Sequence, residues 1–85
     1  MAANDMFEKL HYKEKPLWND LGEQYGTEYI LDYRNKWHEV RFMFRDKTIQ
    51  ISKIFYDDKK MWSFAFDVDL YQAITQKIKE LGWIE

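Results

Sequence analysis

Cysteine is absent, so disulfide scaffolds, thiolate zinc sites and thiol nucleophiles are excluded. Proline occurs once, glycine three times and histidine twice. Glycines at 22, 26 and 82 do not have the spacing of a phosphate-cradling loop. His11 and His38 fall in separate segments, so a metal site would need the fold to gather both with carboxylates. No apolar run approaches the roughly 18–20 residues of a membrane-spanning helix. The opening Met1-Ala2-Ala3-Asn4-Asp5 has neither a basic nor an apolar stretch of the signal-peptide kind. The expectation is a cytoplasmic protein with no membrane partner.

Rings and charges are plentiful. Aromatic residues make up 19% of the 85, which suits a single small domain: each ring removes roughly 150–250 Å² from water and so offsets a short chain. The net charge of −2 is unevenly placed. Residues 1–33 carry −4, residues 34–60 carry +4, and residues 61–85 carry −2. Only the middle stretch suits an anionic partner.

Residues 1–26 read as an irregular, partly helical segment. Asn4 and Asp5 are positioned to cap a short turn carrying Met6, Phe7 and Leu10. Pro16 is expected to open a second helical turn, with Leu17, Trp18 and Leu21 on one side and Gly22 ending it. From Thr27 the period is two. Tyr29, Leu31 and Tyr33 alternate with Glu28, Asp32 and Arg34. Val40, Phe42 and Phe44 alternate with Glu39, Arg41, Met43 and Arg45. Ile49, Ile51 and Phe55 form the buried set of a third strand, and Trp62, Phe64 and Phe66 that of a fourth. The short links at Asn35-Lys36, Asp46-Lys47 and 57–60 join antiparallel neighbours.

Residues 67–85 predict a helix and its cap. Leu70, Ala73, Ile74, Ile78 and Leu81 form one stripe. Asp67 is the N-cap, Asp69 lies in the first turn, and Lys77 and Lys79 sit near the negative end of the dipole. With Leu81 as C-cap, Gly82 takes the left-handed C′ position, and Ile78 and Trp83 become the apolar pair of a Schellman ending. The expected fold is a single α+β domain over 1–85. A four-stranded antiparallel meander (27–66) has the C-terminal helix packed on one face, and a short helical segment precedes it.

The ends of the chain carry a resemblance. Met6-Phe7-Glu8-Lys9-Leu10-His11-Tyr12, Glu28-Tyr29-Ile30, Ala73-Ile74 and Glu80-Leu81-Gly82-Trp83-Ile84 are similar to small phage and prophage proteins of low-GC Gram-positive bacteria. Those proteins typically begin near Met-Phe-Glu-Lys-Leu-Gly-Tyr and end in Glu-Leu-Gly-Trp. His11 stands where they usually have glycine, and residues 13–26 look like an insertion. The resemblance implies a phage or mobile-element setting and brings no catalytic residue with it.

Candidate chemistry is thin. Asp67-Val68-Asp69 has the spacing of a two-carboxylate metal ligand, yet a helix start demands the same residues. Ser52 and His38 could meet across neighbouring strands, but no oxyanion site or third group accompanies them. No catalytic, cofactor or metal residues are assigned, and the chain is expected not to be an enzyme. The outward strand positions are more informative. Ile30, Arg34, Arg41, Met43, Arg45 and Ile54 make a mixed apolar and basic face that suits a protein partner or a second copy of the chain. The alternative is a nucleic-acid-binding module using residues 34–60. Few rings stand on that face for stacking, Trp37 and Tyr56 being the exceptions.

Overall fold

The computed structural model describes residues 1–33, 36–55 and 67–84, with backbone alone at 33, 36, 54 and 55. The element order is α1 (Ala3–Lys9), β1 (Lys13–Trp18), β2 (Gln24–Tyr33), β3 (Lys36–Met43), β4 (Thr48–Phe55) and α2 (Val68–Glu80). The strands form one antiparallel sheet in the order β1-β2-β3-β4. The expected α+β meander is present, built from a partly different set of strands. The expected strand at 62–66 and the link at 57–60 lie outside the described residues.

The segment read as a helical turn at Pro16 is instead β1, and residues 13–26 supply β1, the turn and the start of β2 in a β1–β2 hairpin. An edge strand tolerates proline, because the missing N–H can face away from the sheet, and proline's φ is compatible with extended chain. The sequence Lys-Glu-Lys-Pro-Leu-Trp carries no clean alternation, so pairing with β2 decides its conformation. A bulge between Leu17 and Trp18 leads into the turn. Asn19 Oδ1 accepts from the N–H groups of Leu21 and Glu23, each at 2.9 Å.

Register sorts the sheet into two faces. Tyr29, Val40 and Ile51 align across β2, β3 and β4, as do Thr27, Phe42 and Ile49. These face the helices. The core joins Tyr29, Val40 and Phe42 of the sheet to Phe7 of α1, Tyr12, and Leu70, Ala73 and Ile74 of α2. Ile78, Leu81 and Trp83 pack against that cluster, as the helical stripe requires.

The centre of the core is a set of rings. Phe7 stacks on Tyr29 with centroids 3.8 Å apart and planes 11° apart. Phe7 meets Phe42 edge-on at 6.2 Å, and Tyr29 meets Phe42 edge-on at 5.9 Å. Such pairs add about 0.5–1.5 kcal/mol each beyond their buried area. The phenol of Tyr29 donates to Glu14 Oε2 at 3.1 Å and is also bonded to Asn4 Oδ1. Burial first, then Glu14, raises its pKa well above that of an ordinary tyrosine. Tyr12 is pushed up to about 12 by burial and Asp67, so both phenols stay protonated near neutral pH.

Both helices end in the same motif. Trp83 N–H bonds to Ile78 C=O at 3.1 Å and Gly82 N–H to Lys79 C=O at 3.0 Å, with Gly82 at φ +73°. At the end of α1, Tyr12 N–H bonds to Phe7 C=O at 3.0 Å and His11 N–H to Glu8 C=O at 2.9 Å. Phe7 and Tyr12 supply the apolar contact, with rings 5.8 Å apart. Here the left-handed position is held by His11, at φ +70°. A Cβ in that conformation costs about 1–2 kcal/mol.

The helix starts differ. Asp67 caps α2 as expected, its Oδ1 accepting from Leu70 N–H at 2.7 Å. Asn4 and Asp5 do not cap α1, because the helix begins at Ala3, with Ala2 as its N-cap, and already includes both. The cap comes from the other helix: Ala3 N–H donates to Glu80 Oε2 at 2.7 Å. Asn4 is thereby free to meet Tyr29. The Ala3 bond, outweighing the effect of burial, holds the Glu80 carboxyl below the usual carboxylate range, helped by Gln76 and Lys77.

Two outcomes follow. His11→Gly relieves the left-handed strain but frees the unfolded chain, so a net gain of about 0.5–1 kcal/mol is expected in urea denaturation. Glu80→Ala removes the cap of α1 and should lose about 0.5–1 kcal/mol at neutral pH. Because the folded pKa of Glu80 is depressed, its contribution is complete above the ordinary carboxylate pKa and fades as pH falls through the folded value. The stability gap between Glu80→Ala and wild type should therefore narrow in acid.

Candidate functional face of the sheet

The face turned away from both helices is an ordered grid. Antiparallel partners point to the same side, and register places three rows across the four strands. One row is Lys13, Ile30, Glu39 and Ser52. The next is Lys15, Glu28, Arg41 and Gln50. The third is Leu17, Gly26, Met43 and Thr48. Asp32 pairs with Trp37 beyond the first row.

Arg41 organises the middle. Its Nε donates to Glu28 Oε2 at 2.8 Å and also forms an ion pair with Glu39 Oε1. Trp37 Nε1–H donates to Glu39 Oε2 at 3.0 Å, which ties the indole into the same network. The Glu28 side chain is 5% exposed and the Arg41 side chain 42% exposed. The carboxylate is thus covered while the guanidinium still meets water. Burial acts to lower the Arg41 pKa, but the bond to Glu28 and the charge of Glu39 outweigh it, so the group is held cationic above its ordinary value.

Apolar side chains flank this network. On one side are Ile30 and Trp37, both half-buried. On the other, Leu17 lies across Gly26, whose missing side chain makes the space. A Cβ at Gly26 would sit 2.6 Å from the Phe42 carbonyl oxygen, 3.3 Å from Leu17 Cδ1 and 3.6 Å from Met43 Sδ. Gly26 is required here by close approach rather than by a turn.

Of the six residues expected on this face, the structure brings together Ile30, Arg41 and Met43. Arg45 is exposed in the β3–β4 turn rather than on the strand. Arg34 and the side chain of Ile54 lie outside the described residues, as does Tyr56. Leu17, expected with Trp18 and Leu21 on one side of a helical turn, is buried on this face of the sheet instead. The parts not anticipated are Glu28, Glu39, Lys13 and Lys15. Alternation already turned Glu28 and Glu39 outward, but only the register shows that Glu28 stands directly opposite Arg41.

Other constellations do not assemble. Ser52 pairs with Glu39 and His38 with Lys53, so Ser52 and His38 point to opposite faces. Asp67 is engaged as a helix cap. Among the described residues no cluster of three or more His, Cys, Asp or Glu side chains could hold a metal ion, and no helix is long and apolar enough to cross a membrane.

The network has a measurable consequence. Arg41→Ala leaves Glu28 covered without its partner and should cost about 1–2 kcal/mol, less than for a fully buried pair because the guanidinium is partly solvated. Adding Glu28→Gln should recover part of that loss. A double-mutant cycle by urea denaturation reads the coupling, and additive losses would show that the pair is not coupled.

Comparison of the chain with protein-family models, with curated proteins and with solved structures found no match.

Proposed function

We propose that this chain is a small, non-enzymatic accessory protein of phage or mobile-element type that works in the cytoplasm by binding another protein, a second copy included. The surface is the far face of the sheet. One observation carries the reading: Arg41 is clamped between Glu28 and Glu39 on a face that neither helix covers, with Ile30 and Trp37 on one side and Leu17 and Met43 on the other. Arg, Met and aromatic residues are enriched in protein contact surfaces. A guanidinium already fixed in place loses little freedom on binding. The likeness of Met6–Tyr12 and Glu80–Trp83 to the ends of phage and prophage proteins supports the setting.

A nucleic-acid-binding role for residues 34–60 is the second reading. Arg45 and Lys47, both exposed in the β3–β4 turn, favour it. Arg41 weighs against it, since two carboxylates already oppose its charge. A phosphate backbone would have to displace them.

Light scattering and capture from a host lysate, with Met43→Glu as control, test the first reading. The expected result is a species heavier than the monomer that Met43→Glu abolishes without changing thermal unfolding. A strict monomer with no retained partner, indifferent to Met43→Glu, would overturn it. Salt-dependent binding of a single-stranded oligonucleotide, lost in Arg45→Glu, would transfer the assignment to the second reading.

A further inference from the structure

The β1–β2 turn exposes apolar surface that folding does not use. Trp18, Leu21 and Tyr25 are 58%, 82% and 42% exposed, and none belongs to the core cluster. The turn is nonetheless rigidly built. Besides the two bonds to the Asn19 side chain, Asn19 N–H bonds to Glu23 C=O at 2.9 Å and Gly22 N–H to Asn19 C=O at 3.1 Å. Gly22 supplies the left-handed residue, at φ +76°. Asn19 and Gly22 set such a turn, and Leu21 contributes its backbone N–H while its side chain is left in water. A leucine left in water gains free energy when something covers it. Asp20 and Glu23 flank it, so the fitting surface is apolar at its centre and cationic at its rim.

The chain carries such a surface at the opposite end of the same hairpin. Lys13, Lys15, Ile30 and Trp37 line an open groove with His11, Glu14 and Asp32, the Glu14 carboxylate being engaged by the Tyr29 phenol. Lys13 and Lys15 are exposed, and neither forms an ion pair among the described residues. From Gln24 to Ile30 the strand advances about 20 Å, at roughly 3.3 Å per residue, so a turn does not reach its own groove.

We propose that the β1–β2 turn of one copy docks in the groove of a second copy, with Leu21 over Ile30 and Trp37 and with Asp20 and Glu23 against Lys13 and Lys15. The contact is heterologous. Each copy keeps one free turn or one free groove, so association continues into a ring or a filament. The inference rests on the far face being a contact surface, and it adds the partner and that partner's docking element.

Sedimentation velocity over a concentration series tests it. Wild type should grow beyond a dimer as concentration rises. Leu21→Asp, and separately Lys13→Glu with Lys15→Glu, should each weaken association roughly tenfold or more with thermal unfolding unchanged. Leu21→Ser is a milder second turn variant and should weaken association in the same direction. The two crippled proteins are complementary, since one retains its groove and the other its turn. Mixed together they should form a one-to-one dimer that neither forms alone. A wild type that stays monomeric throughout would overturn the inference, leaving the binding of a different protein through the far face to its own test. Association abolished by Met43→Glu but untouched by Leu21→Asp would overturn turn-into-groove docking and retain the far face as the contact.

Discussion

Phe7 lying flat on Tyr29 is the contact on which the arrangement of this domain depends. A seven-residue helix has no stability of its own in water, because nucleation costs more than so few hydrogen bonds return. α1 persists because its central ring is held between Tyr29, Phe42 and Tyr12. The same docking brings Asn4 to the Tyr29 phenol and lets Glu80 of α2 cap the first turn of α1. The two helices therefore stabilise each other on one side of the sheet. Among the described residues the other side is left to polar and half-apolar side chains, and that division creates the surface proposed above as a contact.

On that second side the antiparallel ladder sets the chemistry. Glu28, Glu39 and Arg41 come from two strands and reach one another only because Glu28 stands opposite Arg41 in the register. A slip of one residue would send all three to the core side and Tyr29 and Val40 to water, which the aromatic cluster forbids. The core thus fixes the polar network through the backbone. An arginine whose charge is balanced in this way differs from the lysines of β1 and Arg45 of the β3–β4 turn, which form no ion pair among the described residues. Such a group is fixed in geometry and hydrogen bonding more than it is available as charge.

The turns show how local strain is distributed. Gly22 and Gly82 take left-handed positions without penalty, whereas His11 and Lys47 take them with a side chain attached. At His11 the reason is visible: Tyr12 must follow immediately to close the apolar contact with Phe7, so the chain turns at that residue whatever occupies it.

Much was legible before any coordinates. The stripe Leu70, Ala73, Ile74, Ile78 and Leu81, the Asp67 cap and the Gly82 stop are local features, each set within one turn of helix by the residues themselves. The inward set Tyr29, Val40, Phe42, Ile49 and Ile51 follows from a period of two. Those signals determined the class of fold and which side of each strand is buried. What the chain alone did not disclose is whatever depends on a partner far away in sequence. Residues 13–18 carry a proline and no alternation, and become a strand only because β2 offers an edge. Glu80 caps a helix that begins at residue 3. Glu28 and Glu39 read as ordinary solvent-facing acids until register sets them around Arg41. Tertiary structure decided these points because pairing and packing energies between distant segments exceed the weak preferences of the residues taken one at a time.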